Sequence, residues 1–438
     1  FKQKTAYEIS LGLVGSEMCI RDRSQYGWLV RYDKRSGEEV GIKPISRKGE
    51  LGYKWNWDAP LAVSSHKSGR LYFAANKLFR SDDYGNNWDV ISDDLSRKID
   101  RNKLKVYDRV LSMDAVAKNG STSLYGTIVA LSESTLDEDL IVIGTDDGLV
   151  QITTNGGDSW RKVDNIPGAP SQSYVNAVYT SQHNENVIYV VFNHHKYGDF
   201  RPYVFMTKDK GNTWSSISSN LPSRGSVYAI EEDHLDPGLI FCGTEFGAFF
   251  SPDNGGTWKE LSSGLPTIAV RDIAIQREMS DLVLGTFGRG FYVLDDYSLL
   301  RNIENKTISQ NAMILPTRDA IMWEKASPLG LPGKAFQGDN FYTADNLDPV
   351  AMISYYYDKN YKSIRDQRQE KEKGLIKDKK DVFYPDYDAL KAEMDEDEAK
   401  LLFTVKNSDG LVVKKVFKSP SKGFNRFHWD LRYEVTNP

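Results

Sequence analysis

Four stretches of this chain share one octapeptide shape: SDDYGNNW at 81–88, TTNGGDSW at 153–160, TKDKGNTW at 207–214 and SPDNGGTW at 251–258. By ordinary residue frequencies, the pattern Ser/Thr-x-Asp/Asn-x-Gly-x-x-Trp arises about once per 10^5 positions. Four copies therefore constrain the fold more than any other feature. Their starts are offset by 72, 54 and 44 residues. The shortest offset is about the length of one four-stranded propeller blade, and the longer ones leave room for loops.

Each copy follows two short β-rich runs: RLYFAAN then KLFRSDD, DLIVIGT then LVQITTN, NVIYVVF then YVFMTKD, and GLIFCGT then AFFSPDN. Such runs, closed by Gly, Asp and Asn, read as strands. The octapeptide is then a hairpin turn between the third and fourth strands of a unit. Asp83, Asn155, Asp209 and Asp253 suit turn amides as Asx-type acceptors. Gly85, Gly157, Gly211 and Gly255 permit a positive φ. Trp88, Trp160, Trp214 and Trp258 supply large apolar faces for packing between sheets. One copy carries Asn and the copies fall on different blades, so the motif is architectural and its carboxylates are neither catalytic nor metal-binding.

On these residues the chain resembles the sortilin-type, bacterial-neuraminidase-repeat families, whose motif is the Asp box. Further stretches carrying the likeness are YKWNWDAPLAVSSH (53–66), GLIFCGTEFGAFFS (238–251) and DLVLGTFGRGFYVLDD (281–296). The resemblance is to secreted bacterial propellers labelled glycosyl hydrolases, with xyloglucanase propellers as distant relatives. It implies an extracellular or periplasmic location. It is weak for function, because such propellers host sialidases, xyloglucanases, receptors and assembly factors.

The net charge of −5, without a basic stripe interleaved with aromatics, argues against nucleic acid as a partner. No apolar run approaches the roughly 18 residues of a membrane span. Of the two cysteines, Cys242 falls in an expected strand as a small core residue. Cys19 falls within FKQKTAYEISLGLVGSEMCIRDR (1–23), which resembles translated sequencing-adapter read-through and is set apart from the fold. No cofactor or metal is expected, and the oligomeric state is not legible.

The expected architecture is all-β: a partial propeller over 24–300, an irregular linker over 301–345, and a small β-sandwich over 346–438. That sandwich carries a charged, exposed helical insertion at 363–400. The propeller portion amounts to about five and a half blades of an expected seven, the remainder and the true N-terminus being expected upstream. The C-terminal domain is expected to be truncated.

Strand alternation places the loops between second and third strands at the end opposite the Asp boxes. These loops carry Asn76, then Asp146 and Asp147 in TDDG, then the long NHHKYGDFRP (193–202). They continue with Glu245 and Phe246 in TEFG, and Phe287 and Arg289 in TFGRG. The segment 98–125 is expected to overhang the same side. In NHHKYGDFRP, His194, His195, Lys196, Tyr197, Asp199 and Arg201 form either a polar surface insertion or a ligand-contacting loop. Metal ligation is disfavoured, because adjacent strand residues face opposite ways. The Asp doublet reads first as turn chemistry and second as a catalytic acid.

Two classes of function follow. In the first, a non-catalytic scaffold or receptor-like propeller binds a glycan or peptide. Its ligand-binding candidates are His194, His195, Tyr197, Arg201, Phe246, Phe287 and Arg289. In the second, a glycoside hydrolase acts with two carboxylates roughly 5 to 9.5 Å apart. The candidates are Asp146, Asp147, Asp199 and Glu245.

Overall fold

The computed structural model describes residues 2–4, 19–33, 36–105, 108–116, 118, 124–262, 264–303, 312–323 and 349–433. The chain divides into two compact units, Phe1–Ser298 and Leu299–Pro438. Much of the expected linker, 304–311 and 324–345, lies outside the described residues, as do 346–348 and most of 1–23.

The first unit is built from antiparallel four-stranded sheets arranged as propeller blades. Blade I comprises Leu61–Val63, Leu71–Ala74, Leu78–Ser81 and Asp89–Val90. Blade II comprises Ile128–Glu133, Leu140–Thr145, Val150–Thr154 and Arg161–Val163. Blade III comprises Tyr174–Thr180, Ile188–His194, Asp199–Thr207 and Ser215–Ser216. Blade IV comprises Val227–Glu232, Ile240–Thr244, Gly247–Ser251 and Lys259–Glu260. Blade V has Val270–Gln276, Asp281–Thr286 and Phe291–Leu294, the last pairing outward with Lys2–Lys4. Ahead of blade I, Cys19–Ser24, Trp28–Asp33 and Glu39–Gly41 form a three-stranded sheet. The backbone thus draws two short pieces of the 1–23 segment into sheets.

The first strands of successive blades pack on one another, which makes them the innermost strands. Middle strands are covered on both faces, which is why their sequences are continuously apolar rather than alternating. In Ile188–His194, Val190 joins the core shared with blade II, while Tyr189 and Val191 join the core shared with blade IV. Cys242 is buried in that second core, where burial pushes its thiol pKa up.

The four octapeptides occupy the turns between third and fourth strands, with one internal network. The Ser or Thr hydroxyl donates to the Asp or Asn oxygen at 2.7–2.9 Å and accepts from the Gly amide at 2.7–3.0 Å. That Asp or Asn oxygen also accepts the amide four residues on, at 2.7–3.0 Å. The four glycines sit at φ +85 to +107, where a side chain would be strained. A Cβ at Gly255 would also lie 2.7 Å from Ile217.

Three of the indoles reach backwards across a blade boundary. Trp88 donates to the Ile42 carbonyl, Trp160 to Ile91 and Trp258 to Ile217, at 2.7, 3.2 and 2.7 Å. The same isoleucines face Gly85, Gly157 and Gly255. Trp214 differs: it donates to its own Gly211 carbonyl, and Arg161 of the preceding blade bonds that carbonyl too. The turn network predicts that Asp253→Ala costs about 1 kcal/mol in denaturant melts, because turn amides lose an acceptor yet stay near solvent. A cost above about 3 kcal/mol would show that the carboxylate supports more than the turn.

A second inter-blade clasp joins the ends of the first strands. Ser64 Oγ donates to Glu133, and the His66 ring lies 2.7 Å from the Ser134 carbonyl. Blade III repeats the arrangement, with Ser181 on Glu232 and the His183 ring 2.7 Å from the Asp233 carbonyl.

The second unit holds one sheet of Ala312–Ile314, Ala351–Tyr357 and Gly423–Trp429. Opposite it stands a hairpin of Leu401–Lys406 and Val412–Lys418. Phe403 of the hairpin packs 4.7 Å from both Tyr355 and Phe427, giving the sandwich-like core. The charged insertion is helical: α1 spans Ile364–Lys377 behind a Ser363/Asp366 capping box, and α2 spans Tyr387–Met394. Arg368 ties them by bonding Glu372 and Glu393, and neither helix contains a buried residue. Among the described residues no helix is long and apolar enough to cross a membrane.

Candidate functional site

The first strands begin, and the loops between second and third strands turn, at one end of blades I to V. There they enclose a cavity of about 660 Å³. Its walls include Asp58, Tyr174, Asn176, Asn193, His195, Lys196, Tyr228, Arg271, Asp272 and Phe287. No residue of the four octapeptides lines it, because those turns close the opposite strand ends.

Of the residues expected from sequence, His195 and Phe287 line this cavity, with Lys196 between His195 and the loop tip. Glu245 adjoins it by accepting the Tyr228 hydroxyl. Phe287 is 69% exposed, leaving much of its ring open. His194, Tyr197, Arg201, Phe246 and Arg289 are not among the lining residues. His194 stacks on Tyr197 with ring centroids 4.3 Å apart and lies 2.9 Å from the Ser173 hydroxyl, which orders the loop. Phe246 is half exposed at its own turn.

Three of the four candidate carboxylates are taken up locally. Asp146 is buried, accepting the Gly126 and Thr127 amides at 3.0 and 2.8 Å and the Thr127 hydroxyl at 2.8 Å. Burial outweighs these donors and pushes its pKa up to about 6. Asp147 is fully buried and accepts the Thr145 hydroxyl and the Arg97 amide at 2.6 and 2.8 Å. Burial raises its pKa as well. Asp199 receives Arg201 through two nitrogens at 3.0 and 2.7 Å and Tyr203 at 2.6 Å. Arg201 foremost holds that carboxyl well below the usual range. These three side chains fasten loops rather than face the cavity.

Several lining residues went unmarked in the sequence because they sit on first strands rather than in loops. Asn176 interrupts the apolar run YVNAVYT, and Arg271 and Asp272 interrupt VRDIAIQ. Those polar interruptions of innermost strands were the available signal. Asn176 Nδ2 donates to the Val227 carbonyl at 2.6 Å, and Asn193 Nδ2 donates to Asn176 Oδ1 at 2.6 Å. Arg271 lies with its guanidinium 3.7 Å from the Tyr228 ring centroid and 5.2 Å from that of Phe287. Lys196 sits 5.4 Å over the Tyr174 ring. Burial first, then Lys196 and Arg271, hold the His195 pKa below its ordinary value, although Glu245 pulls the other way.

Further along the same strands, Tyr179 donates to Glu231 at 3.2 Å, Gln182 donates to Tyr179 at 2.5 Å, and Arg277 donates to Gln182 at 2.6 Å. Burial pushes the Glu231 pKa up to about 8 against the Tyr179 hydrogen bond, with Asp272 adding to the rise. Among the described residues no group of three His, Cys, Asp or Glu side chains could hold a metal ion.

No family model and no curated protein matches the chain. Among solved structures it is similar to the GH74 enzyme of Niastella koreensis, at 16% identity and a TM-score of 0.42, covering 64% of this chain and 43% of that one. It is similar to the GH74 xyloglucanase of Xanthomonas campestris at 16% identity and a TM-score of 0.42, covering 64% of this chain and 42% of that one. A third similarity is to U3-55K, at 10% identity and a TM-score of 0.43, covering 65% of this chain and 76% of that one. This chain thus spans less than half the length of either GH74 enzyme, and no residue role transfers at such identities.

Proposed function

We propose that the chain is a secreted binding propeller that takes a glycan or peptide ligand in the cavity opposite the Asp boxes. One observation carries this reading: five blades line a single open cavity of about 660 Å³, and the aromatic, amide and charged side chains in it come mainly from blades III and V, with Tyr228 from blade IV and Asp58 ahead of blade I. A concave site with a few convergent polar groups is the usual form of a ligand site. Binding is favoured over hydrolysis by the state of the carboxylates. Of the four carboxylates the sequence offers for hydrolysis, Asp146, Asp147 and Asp199 are already committed to loop amides, hydroxyls and a guanidinium, and Glu245 to the Tyr228 hydroxyl.

The test is equilibrium binding against arrayed oligosaccharides and peptides, followed by titration of the tightest binder. Phe287→Ala should weaken that binder at least tenfold without lowering the melting temperature, since the ring is largely exposed. Asp209→Ala, on the far face, should leave affinity unchanged. Affinity lost in Asp209→Ala but kept in Phe287→Ala would overturn the placement. Turnover of any glycan by the unaltered chain would overturn the non-catalytic reading.

A further inference from the structure

Two features of the cavity bear on what it takes. The first is an acceptor with nothing to accept. Asn193 is 4% exposed and lines the cavity, and its Oδ1 is buried without a hydrogen-bond partner. A flipped amide would not cure this. The Val227 carbonyl can only accept, so Asn176 must present its NH₂ there and its Oδ1 to Asn193. Asn193 must then donate its NH₂ to Asn176, which leaves its own oxygen unpaired within the cavity wall. A buried unpaired acceptor is destabilising, and a ligand hydroxyl or N–H would remove that cost.

The second feature is how the cations are held. Arg271 rests on Tyr228 and Phe287, and Lys196 over Tyr174. Among the described residues neither has an ion-pair partner. An aromatic face positions a cation without neutralising it, so both remain able to meet an anion. They also act on one place, since both bear on His195. The seating has a second effect: the guanidinium covers the Tyr228 face that a neutral sugar ring would otherwise stack on. Asp58 and Asp272 share the walls. With Asn193 they add acceptors to a polar lining that also holds Tyr174, Asn176, His195 and Tyr228, and such acceptors suit a ligand carrying several hydroxyl donors. A peptide backbone carries donors and acceptors in equal number and matches this lining less well.

We infer that the cavity takes an acidic oligosaccharide, its anionic group at Arg271 and Lys196 and a hydroxyl donated to Asn193 Oδ1. This rests on the binding function proposed above and narrows its ligand class. The carboxylate of a uronate and the sulfate of a sulfated sugar share the chemistry.

The experiment uses the full chain and a panel of tri- to hexasaccharides. Each uronate- or sulfate-bearing member is paired with its neutral parent, and peptides with free and amidated C-termini are run alongside. The acidic members should bind at least tenfold tighter than their parents, with the advantage shrinking as salt rises from about 50 to 500 mM. Uronate-only or sulfate-only binding identifies the anion. Arg271→Gln and Lys196→Gln should each remove most of the acidic advantage at unchanged melting temperature. Asn193→Ala should weaken acidic and neutral members alike. Neutral parents binding as tightly, or peptides binding where no saccharide does, would overturn the inference and leave the proposed binding function standing. No ligand of either kind would remove both.

Discussion

Trp258→Ala is expected to destabilise the first unit by about 3 to 5 kcal/mol, the usual cost of deleting a buried aromatic side chain. The indole is 4% exposed, packs in the core between blades III and IV, and donates to the Ile217 carbonyl at 2.7 Å. Truncation therefore opens a cavity and strands a carbonyl at the same point. Trp214→Ala is the internal comparison: that indole is only partly buried and bonds its own turn at Gly211. Its loss should cost distinctly less. Denaturant melts of both variants decide the matter. Equal losses would mean that the cross-blade bond and the deeper burial contribute nothing.

The second large effect should appear on raising pH. Glu231 titrates near 8 in the folded chain, because burial disfavours its charged form. In the unfolded chain it titrates near the ordinary glutamate value of about 4.3. The folded state therefore holds the extra proton between those values. The stability this provides is full below the unfolded pKa and is lost as pH rises through the folded one. At about 1.4 kcal/mol per unit of displacement the loss is a few kcal/mol, reduced somewhat because the side chain is partly exposed. Glu231→Gln keeps an acceptor for Tyr179 and removes the titration. Thermal melts from pH 4 to 9 should show the unaltered chain losing stability that the variant keeps. Parallel curves would show that Glu231 is ionised in the fold.

The four octapeptide turns were legible in the sequence because everything that defines them is local. Hydroxyl, carboxamide or carboxylate, glycine and indole fall within eight residues, and the turn closes on its own amides. The doubly buried middle strands were legible for a related reason: a continuous apolar run such as LIVIGT has no exposed face. The cavity was legible only in part. Strand alternation put His195, Lys196 and Phe287 at the end of the blades where the cavity lies, but alternation says nothing about which side chains turn inward. Asn193, Tyr228 and Arg271 become a site only when blades III, IV and V stand side by side, and no local pattern encodes that adjacency. Asp146 and Asp147 show the converse limit. An acidic doublet in a short loop reads first as turn closure and second as a catalytic acid, but the partners at Gly126, Thr127 and Arg97 that absorb it lie 19 to 50 residues away. The Ser-x-His clasps at 64–66 and 181–183 escaped notice for the same reason, since their acceptors are on the next blade.

The backward reach of the indoles gives the unit a direction. Trp88, Trp160 and Trp258 each complete their turn with a carbonyl contributed by earlier chain: Ile42, Ile91 and Ile217. A chain emerging from the ribosome N-terminus first always has that acceptor in place before the donor arrives. Each new blade can therefore lock onto a finished predecessor, whereas a predecessor never waits for its successor to satisfy this contact. For this contact assembly runs with translation, whereas the Ser-x-His clasps wait for the next blade, and coupling passes between neighbouring blades. A break in one blade should consequently leave the turns upstream of it intact and release the turn downstream.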